Sequence, residues 1–158
     1  MLEFDIKIGT RDLYDYMLRH NYSSAGGIMG TSVGALLFIA GVAKGTWMFI
    51  IWGIILLLYL PVALFIKSAG QATGNPAFKK PLHYVFDDEG MEISQGEAVT
   101  KAEWKNMVKA VSTGRSIILY TSRINATIFP KAQLKDNTAA LIEFISTHMP
   151  ADKVKIRG

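Results

Sequence analysis

Residues 21–66 read NYSSAGGIMGTSVGALLFIAGVAKGTWMFIIWGIILLLYLPVALFI, and the single charge of Lys44 divides them into two apolar stretches. An α-helix rises about 1.5 Å per residue, so each stretch of about twenty residues is about 30 Å long, which matches the hydrocarbon core of a bilayer. The sequence therefore predicts a transmembrane hairpin over residues 25–66. No part of it specifies a reaction, so predictions about function depend on the segments that flank the hairpin.

The first stretch is rich in glycine. One row recurs every four residues at Gly26, Gly30 and Gly34, and a second recurs every seven at Gly27, Gly34 and Gly41. Such rows leave a helix face with little side-chain bulk, which permits close packing in lipid. The candidate helix-packing residues are Gly26, Gly30, Gly34 and Gly41. The predicted partner is the second stretch of the same chain, and oligomerisation through the same face is the alternative.

The second stretch is bulkier, with Trp47 at its start and Tyr59 toward its end, positions that favour membrane interfaces. Pro61 removes a backbone hydrogen bond and predicts a kinked exit, with a transport gate as the alternative. Residues 41–43 (GVA) are similar to a signal-peptide cleavage site. Cleavage is disfavoured because the preceding segment is long and acidic and a second apolar stretch follows.

The basic residues near the hairpin are distributed unequally. Arg19 precedes it and Lys67, Lys79 and Lys80 follow it, whereas only Lys44 lies in the connection. Basic residues are enriched on the cytoplasmic side of a membrane. Both termini are therefore predicted to be cytosolic.

The N-terminal segment, residues 1–24, contains two amphipathic elements. Residues 2–8 alternate between apolar and charged side chains, which predicts a strand with one buried face. A single strand is not stable alone, so it is expected to pair with strands that follow the membrane. Thr10 is a candidate N-cap for a helix that extends to about Tyr22. That helix is expected either to lie on the membrane or to pack on the soluble domain.

The segment after the hairpin changes from linker to domain. Residues 67–81 are rich in Gly, Ala, Ser, Asn and Pro and are predicted to be a linker. Candidate strands follow at 82–86, 91–94, 104–112, 116–121 and 124–129. Asp136 can cap a helix with an apolar stripe that includes Leu141 and Ile145. Residues 82–158 are therefore predicted to form an antiparallel meander closed by a C-terminal helix.

Three short segments carry a resemblance to a known family. They read YVFDDEGMEI (84–93), TKAEWKNMVK (100–109) and IFPK (128–131). With the N-terminal strand, the polar helix and the paired spans, the chain resembles the YcxB-like family of small bacterial membrane proteins over nearly its whole length. The resemblance implies an α+β protein of the bacterial cytoplasmic (inner) membrane. In it, a cytosolic pleckstrin-homology-like (PH-like) barrel is carried on a two-span anchor. It implies no activity and no binding residues.

Basic residues exceed acidic ones in the C-terminal part, where residues 67–158 hold thirteen Lys and Arg against nine Asp and Glu. Lys101, Lys105 and Lys109 recur every four residues and would share one face of a continuous strand, and Arg115 and Arg123 would extend that face. This candidate patch is expected to be either a solvated stripe or a contact for anionic lipid or an acidic partner. Nucleic-acid binding is disfavoured because anionic headgroups already account for a basic juxtamembrane surface.

Patterns typical of catalysis are absent from the sequence. There is no cysteine, which excludes disulfides and thiolate chemistry. The acidic run at 87–90 (DDEG) is typical of a hairpin turn. His20, His83 and His148 lack metal-ligand spacing. No nucleophile elbow, P-loop or dinucleotide fingerprint occurs. No catalytic, metal or cofactor site is therefore predicted.

The predicted function is that of a non-enzymatic membrane protein whose cytosolic domain is an interaction or regulatory module. The expected partners are the lipid bilayer, another membrane or cytosolic protein, and a second copy of the chain. The alternative is an oligomeric or accessory subunit of a membrane transport or efflux assembly. No charged residue lies within either span, which disfavours an ion path through this chain alone.

Overall fold

The structure is a computed structural model that describes residues 1–123 and 125–156. Its helices are α1 (Thr10–Tyr22), α2 (Ala25–Lys44), α3 (Trp47–Gly74), α4 (Lys131–Leu134) and α5 (Asn137–His148). Its strands are β1 (Leu2–Ile6), β2 (Leu82–Phe86), β3 (Gly90–Gln95), β4 (Ala98–Glu103), β5 (Lys109–Ser112), β6 (Ser116–Tyr120), β7 (Ala126–Pro130) and β8 (Val154–Lys155). The fold is therefore mixed α+β, as predicted.

The first sheet has the order β1-β2-β3-β4 and is antiparallel throughout. The N-terminal strand pairs with β2, with Phe4 opposite Tyr84, so the prediction that it joins the later strands is confirmed. The alternation of apolar and charged residues in β1 matches this pairing. Ile6 is fully buried, whereas the neighbouring Asp5 lies on the outer side, where its Oδ1 is 2.9 Å from His83 Nδ1. The strands of this sheet thus come from both sides of the hairpin in the sequence.

The second sheet has the order β7-β6-β5-β8. Strand β8 runs parallel to β5, a pairing that the sequence did not predict. The hydrophobic core joins both sheets to α5, and its fully buried side chains include Phe86, Phe129, Leu119, Leu141 and Ile145. Two four-stranded sheets replace the predicted closed barrel, so the barrel and the single meander are wrong for the described residues.

The predicted strand 104–112 is confirmed only over β5 (Lys109–Ser112), and its first half instead turns the chain between the two sheets. Residues Trp104–Asn106 make a 3₁₀ turn between β4 and β5. The Trp104 indole is buried and donates a hydrogen bond to the Asp87 carbonyl at 2.9 Å, and the Trp104 backbone N–H donates to the Glu89 carbonyl at 3.2 Å. These bonds fix the turn and direct the chain from one sheet into the other. The last candidate strand begins at Ala126, and Ile124 lies outside the described residues.

The helix boundaries differ from the prediction at two places. Gly9, rather than Thr10, is the N-cap of α1, because its backbone is extended and its carbonyl accepts the Leu13 N–H at 3.1 Å. The Gly9 N–H in turn donates to Asp12 Oδ2 at 2.9 Å. Helix α3 continues through Pro61 to Gly74, so the first half of the predicted linker 67–81 is helical. Ser68 in that extension is fully buried.

Helices α2 and α3 pack against each other as an antiparallel hairpin. Gly45, with φ of 66°, terminates α2 in the left-handed conformation that glycine adopts without strain. Both helices are long and apolar enough to cross a membrane, and only 11% of each apolar window is buried. Large side chains such as Leu36 (66% exposed) and Trp47 (69% exposed) point outward. The hairpin is thus an apolar surface and differs from a buried core helix.

Candidate functional site

The predicted basic patch is divided among several elements because the chain turns at Trp104. Lys101 lies on β4, where its ammonium contacts Glu92 of β3 at 2.8 Å. Lys105 lies in the 3₁₀ turn and pairs with Glu103. Lys109 lies on β5 of the other sheet. The three lysines therefore do not form one stripe.

The first two of these lysines already have acidic partners. A hydrogen bond and the charge of Glu92 raise the pKa of Lys101, and Glu103 raises the pKa of Lys105 in the same way. Both pairs are exposed, so they contribute little to stability. They do reduce the positive charge that this face presents to a partner.

The two arginines of the predicted patch lie in separate turns. Arg115 is exposed between β5 and β6, where its backbone N–H donates to Thr113 Oγ1 at 3.1 Å. Arg123 is exposed between β6 and β7. The structure thus brings neither arginine onto a common surface with all three lysines.

A different group of basic residues lines a cavity of about 410 Å³ between α1, the second sheet and the C-terminal segment. We call it the basic cavity and define it by Arg19, Lys109, Lys153, Lys155, Asp152 and Tyr120. Arg19 comes from the last turn of α1, Lys109 from β5, and the other two lysines from the 3₁₀ turn Ala151–Lys153 and β8. Sequence reasoning identified Lys109 alone among these four cations, since the others are far away along the chain.

Tyr120 is the aromatic residue of the basic cavity that contacts a lysine. Its ring is buried, stacks on His20 at 6.2 Å between ring centroids, and lies 4.4 Å from the Lys109 ammonium. The latter distance is typical of a cation–π contact. Burial raises the pKa of Tyr120, the neighbouring Tyr16 raises it further, and the Arg19 charge opposes both. The phenol therefore stays neutral at ordinary pH, and the cavity keeps its positive charge.

The cations of the basic cavity are poorly neutralised within the chain. Among residues 1–123 and 125–156, no salt bridge joins Arg19, Lys109, Lys153 or Lys155 to a carboxylate. Lys153 donates one hydrogen bond to the Met107 carbonyl at 3.4 Å, which leaves it two further N–H donors. Asp152 is the acidic residue of the lining. The cavity is consequently cationic and suited to an anion.

Two serines place this cavity beside the hairpin. Ser23 and Ser24 line it, and Ser24 is also the N-cap of α2, where its Oγ accepts the Gly27 N–H at 3.2 Å. The basic cavity therefore opens where the first apolar helix begins.

A second and larger cavity, of about 600 Å³, lies between α1, α3, strands β2 and β3 of the first sheet and β7 of the second. Its lining is mostly apolar and includes Leu13, Met17, Tyr84 and Ile128, with Lys67 among its polar groups. Tyr84 is buried, and burial strongly raises the pKa of its phenol. This cavity separates the hairpin extension from the core of the sheets.

The candidate helix-packing glycines fall into two classes. A Cβ on Gly34 would lie 3.1 Å from Leu56 Cβ, and one on Gly41 would lie 2.7 Å from the Ile50 backbone nitrogen, so both glycines face α3. Gly26 and Gly30 face open space. Gly53 of α3, which the sequence did not single out, is as close to the backbone of α2, since a Cβ there would lie 2.6 Å from Phe38 N. Of the seven-residue row, Gly34 and Gly41 thus lie at the intrachain interface, whereas a Cβ on Gly27 would collide with the Asn21 carbonyl oxygen of α1.

The acidic run at 87–90 forms a tight turn. Asp87 Oδ1 accepts the backbone N–H groups of Glu89 and Gly90, each at 2.9 Å. Gly90 is needed because a Cβ there would collide with the Ala102 carbonyl. In the described part of the chain, no group of three His, Asp or Glu side chains is arranged to hold a metal ion.

Comparison with known proteins adds one finding. Residues 86–149 match the family model described as YcxB-like protein, which confirms the resemblance over β3 to α5 and the residues that connect them. Neither the curated proteins nor the solved structures gave a significant match. The matched region includes Lys109 but neither the hairpin nor Arg19, Lys153 and Lys155.

Proposed function

Because the chain is YcxB-like over residues 86–149 and carries two helices apolar enough to span a membrane, we propose that it is a non-enzymatic integral membrane protein of the bacterial cytoplasmic membrane. Its α+β domain acts on the cytosolic side as an interaction or regulatory module. The pairing of β1 with β2 is the observation that carries this proposal.

This pairing constrains how the hairpin can cross a membrane. β1 precedes the hairpin and β2 follows it, and the two strands pair from Leu2 opposite Phe86 to Ile6 opposite Leu82. Two crossings return the chain to the side from which it started, so the hairpin is compatible with one folded domain on one side. A single crossing would separate the two strands.

The domain is held against the hairpin by direct packing. Helix α1 contacts α3, and the Tyr14 and Phe65 rings meet edge to face with centroids 5.5 Å apart. Such a contact restricts the orientation of the domain relative to the apolar helices. This arrangement suits a regulatory module, because a partner that reorients the sheets would also change the packing of α1 against α3.

Charge favours the cytosolic side for the domain. Arg19, Lys67, Lys79 and Lys80 lie on the domain side of the hairpin, and Lys44 lies at its tip. The positive-inside bias therefore supports cytosolic termini.

The shape of the domain supports an interaction role. Two sheets that share a core with a C-terminal helix are consistent with the PH-like expectation, although the sheets form no closed barrel. Strand β4 is an edge of the first sheet, and Val99 on it is 55% exposed. An exposed edge offers unpaired backbone groups to an added strand of a partner protein.

Cysteine accessibility tests the topology with little background, because the chain has no cysteine of its own. Lys44→Cys lies at the hairpin tip, and Glu97→Cys lies in the exposed turn between β3 and β4. In intact spheroplasts a membrane-impermeant maleimide should label position 44 and leave position 97 unlabelled until the membrane is permeabilised. Labelling of both positions before permeabilisation would overturn the spanning hairpin, and labelling of position 97 alone would reverse its orientation.

One observation favours the second candidate, an oligomeric or accessory subunit of a transport or efflux assembly. Gly26 and Gly30 face open space, so this side of α2 is available to another helix. Gly30→Leu should then abolish a discrete homo-oligomer in mild detergent. An interaction module predicts a copurifying partner and an unchanged mass for Gly30→Leu. Gly34→Leu is unsuitable for this purpose, because Gly34 already contacts α3.

A further inference from the structure

We infer that the basic cavity binds the phosphate of an anionic phospholipid headgroup. This inference rests on the proposed function, because it requires the hairpin to lie in a membrane. It names the ligand class through which the domain would respond to its own bilayer.

The charge of the cavity fits a phosphate diester. Arg19, Lys109, Lys153 and Lys155 converge from four elements, with His20 beside them and Asp152 as the opposing carboxylate. None of the four cations has a carboxylate partner within the described residues, whereas Lys101 and Lys105 outside the cavity are paired. Unpaired cations around a shared space retain their attraction for an added anion. The chain thus supplies charge at this place that its own acidic residues do not neutralise.

The size and lining of the cavity favour a headgroup over a bare anion. Its volume of about 410 Å³ lies within the range of roughly 300–1,000 Å³ that is usual for small-molecule sites. Val108 and Val111 add apolar surface beside the cations. A glycerol backbone can contact that surface, whereas inorganic phosphate makes no use of it.

The position of the cavity favours a lipid over a soluble phosphate compound. Ser23, the C-cap of α1, and Ser24, the N-cap of α2, both belong to its lining. In a spanning hairpin the start of α2 lies at headgroup depth, where Tyr22 is also exposed. The N-terminus of α2 adds a partial positive charge to that of the side chains. A headgroup can therefore enter the cavity while its acyl chains remain beside the hairpin.

The test uses the full chain purified in mild detergent, with binding of dioctanoyl phosphatidylglycerol and dioctanoyl phosphatidylcholine measured by native mass spectrometry. The cavity variant is Lys109→Gln with Lys155→Gln. The matched control is Lys79→Gln with Lys80→Gln, which removes the same charge beside the exit of α3 but outside the cavity. We expect preference for the anionic lipid, a loss on the order of tenfold in the cavity variant, and retention in the control.

Three results would overturn the inference. Equal binding of the two lipids would remove the headgroup selectivity, and equal losses in both double variants would indicate unspecific surface charge. Displacement of phosphatidylglycerol by millimolar inorganic phosphate would identify free phosphate as the ligand.

If the double variant unfolds, Lys155→Gln alone, at an exposed position on β8, gives the same comparison against Lys80→Gln. The cysteine-accessibility experiment tests the membrane topology without any added lipid, so it can show that the topology proposal is wrong whatever the lipid-binding result. Lipid binding in detergent is read independently of that result.

Discussion

The α2–α3 hairpin and the two-sheet domain expose opposite kinds of surface. In the hairpin, apolar side chains such as Leu36 and Tyr59 point outward and glycines occupy the contact between helices. In the domain, apolar side chains such as Phe129 and Leu141 are fully buried, and the one buried polar side-chain atom without a hydrogen-bond partner among the described residues is Ser116 Oγ. The hairpin therefore has an apolar surface, and the domain has an apolar interior. This difference predicts that the same substitution will have different effects in the two regions.

The largest effect is expected where the two regions depend on each other. Deletion of residues 2–9 would remove β1 and with it the buried side chains of Ile6 and Ile8. Each contributes about 1.5–3 kcal/mol by burial, so the domain should lose most of its marginal stability. Denaturant unfolding in mild detergent measures this loss.

A charge-removing variant, Glu3→Ser with Lys7→Ser, is the control for that deletion, because both side chains are exposed. A deletion variant as stable as this control would show that β1 is dispensable and that the hairpin is no insertion within one folded unit.

An identical leucine substitution gives the sharpest comparison of the two regions. Leu141→Ala in α5 removes a side chain that is 0% exposed and should lower the free energy of unfolding by about 2–5 kcal/mol. Leu36→Ala in α2 removes one that is 66% exposed and should have a small effect. Thermal unfolding of both variants in the same detergent checks the difference. Comparable losses would mean that Leu36 is covered by a partner.

A matched glycine pair divides the hairpin itself. Gly41→Ala places a methyl group 2.7 Å from the Ile50 backbone nitrogen and should weaken the α2–α3 contact by about 1–3 kcal/mol through overpacking. Gly30→Ala meets open space and should leave the contact unchanged. Proximity of the helices can be followed by crosslinking of cysteines placed on α2 and α3. A larger effect for Gly30→Ala would assign the interhelical contact to the four-residue row.

The smallest effect concerns alkaline pH. Burial raises the pKa of Tyr84, so in the folded state its phenol stays protonated at pH values where the unfolded chain loses the proton, above about 10. Its contribution is fully present below that value and is lost as pH rises toward the raised pKa of the folded state.

The measurement for this prediction is the unfolding free energy between pH 9 and about 11. Tyr84→Phe should flatten the alkaline decline, and Tyr59→Phe, which removes a hydroxyl outside the core, is the control. An identical decline in Tyr84→Phe and the unchanged chain would show that burial of Tyr84 does not couple folding to pH.

Local patterns in the sequence predicted most of the elements. The alternation in residues 2–8 predicted β1, and the apolar stretches predicted α2 and most of α3. Both signals are local, because a strand with one buried face alternates in polarity and an apolar helix has an unbroken run of apolar residues. The first half of the predicted strand 104–112 is wrong because Trp104 is hydrogen-bonded to the carbonyl of Asp87, which is remote in sequence, whereas its second half is β5. Strand β8 was not predicted, because a strand of two residues is too short to show the alternation of apolar and polar side chains.

The candidate site was less predictable than the fold. The spacing of Lys101, Lys105 and Lys109 suggested one surface, but it presumed a continuous strand that the 3₁₀ turn interrupts. The basic cavity joins Arg19 to Lys153 and Lys155, which come from opposite ends of the chain. Pairing of β8 with β5 brings these cations together, and no pattern of residue spacing in the sequence predicts that pairing.

By itself, the sequence determined that the chain has two helices apolar enough to cross a membrane and that its first strand needs a partner, because hydrophobicity and periodicity are properties of neighbouring residues. Tertiary structure alone decided that the strands divide into two sheets, that Gly34 and Gly41 rather than Gly26 and Gly30 meet α3, and that four distant cations share a cavity. These outcomes depend on contacts between segments far apart in the chain. Such contacts form only in the complete fold, so local patterns in the sequence do not predict them.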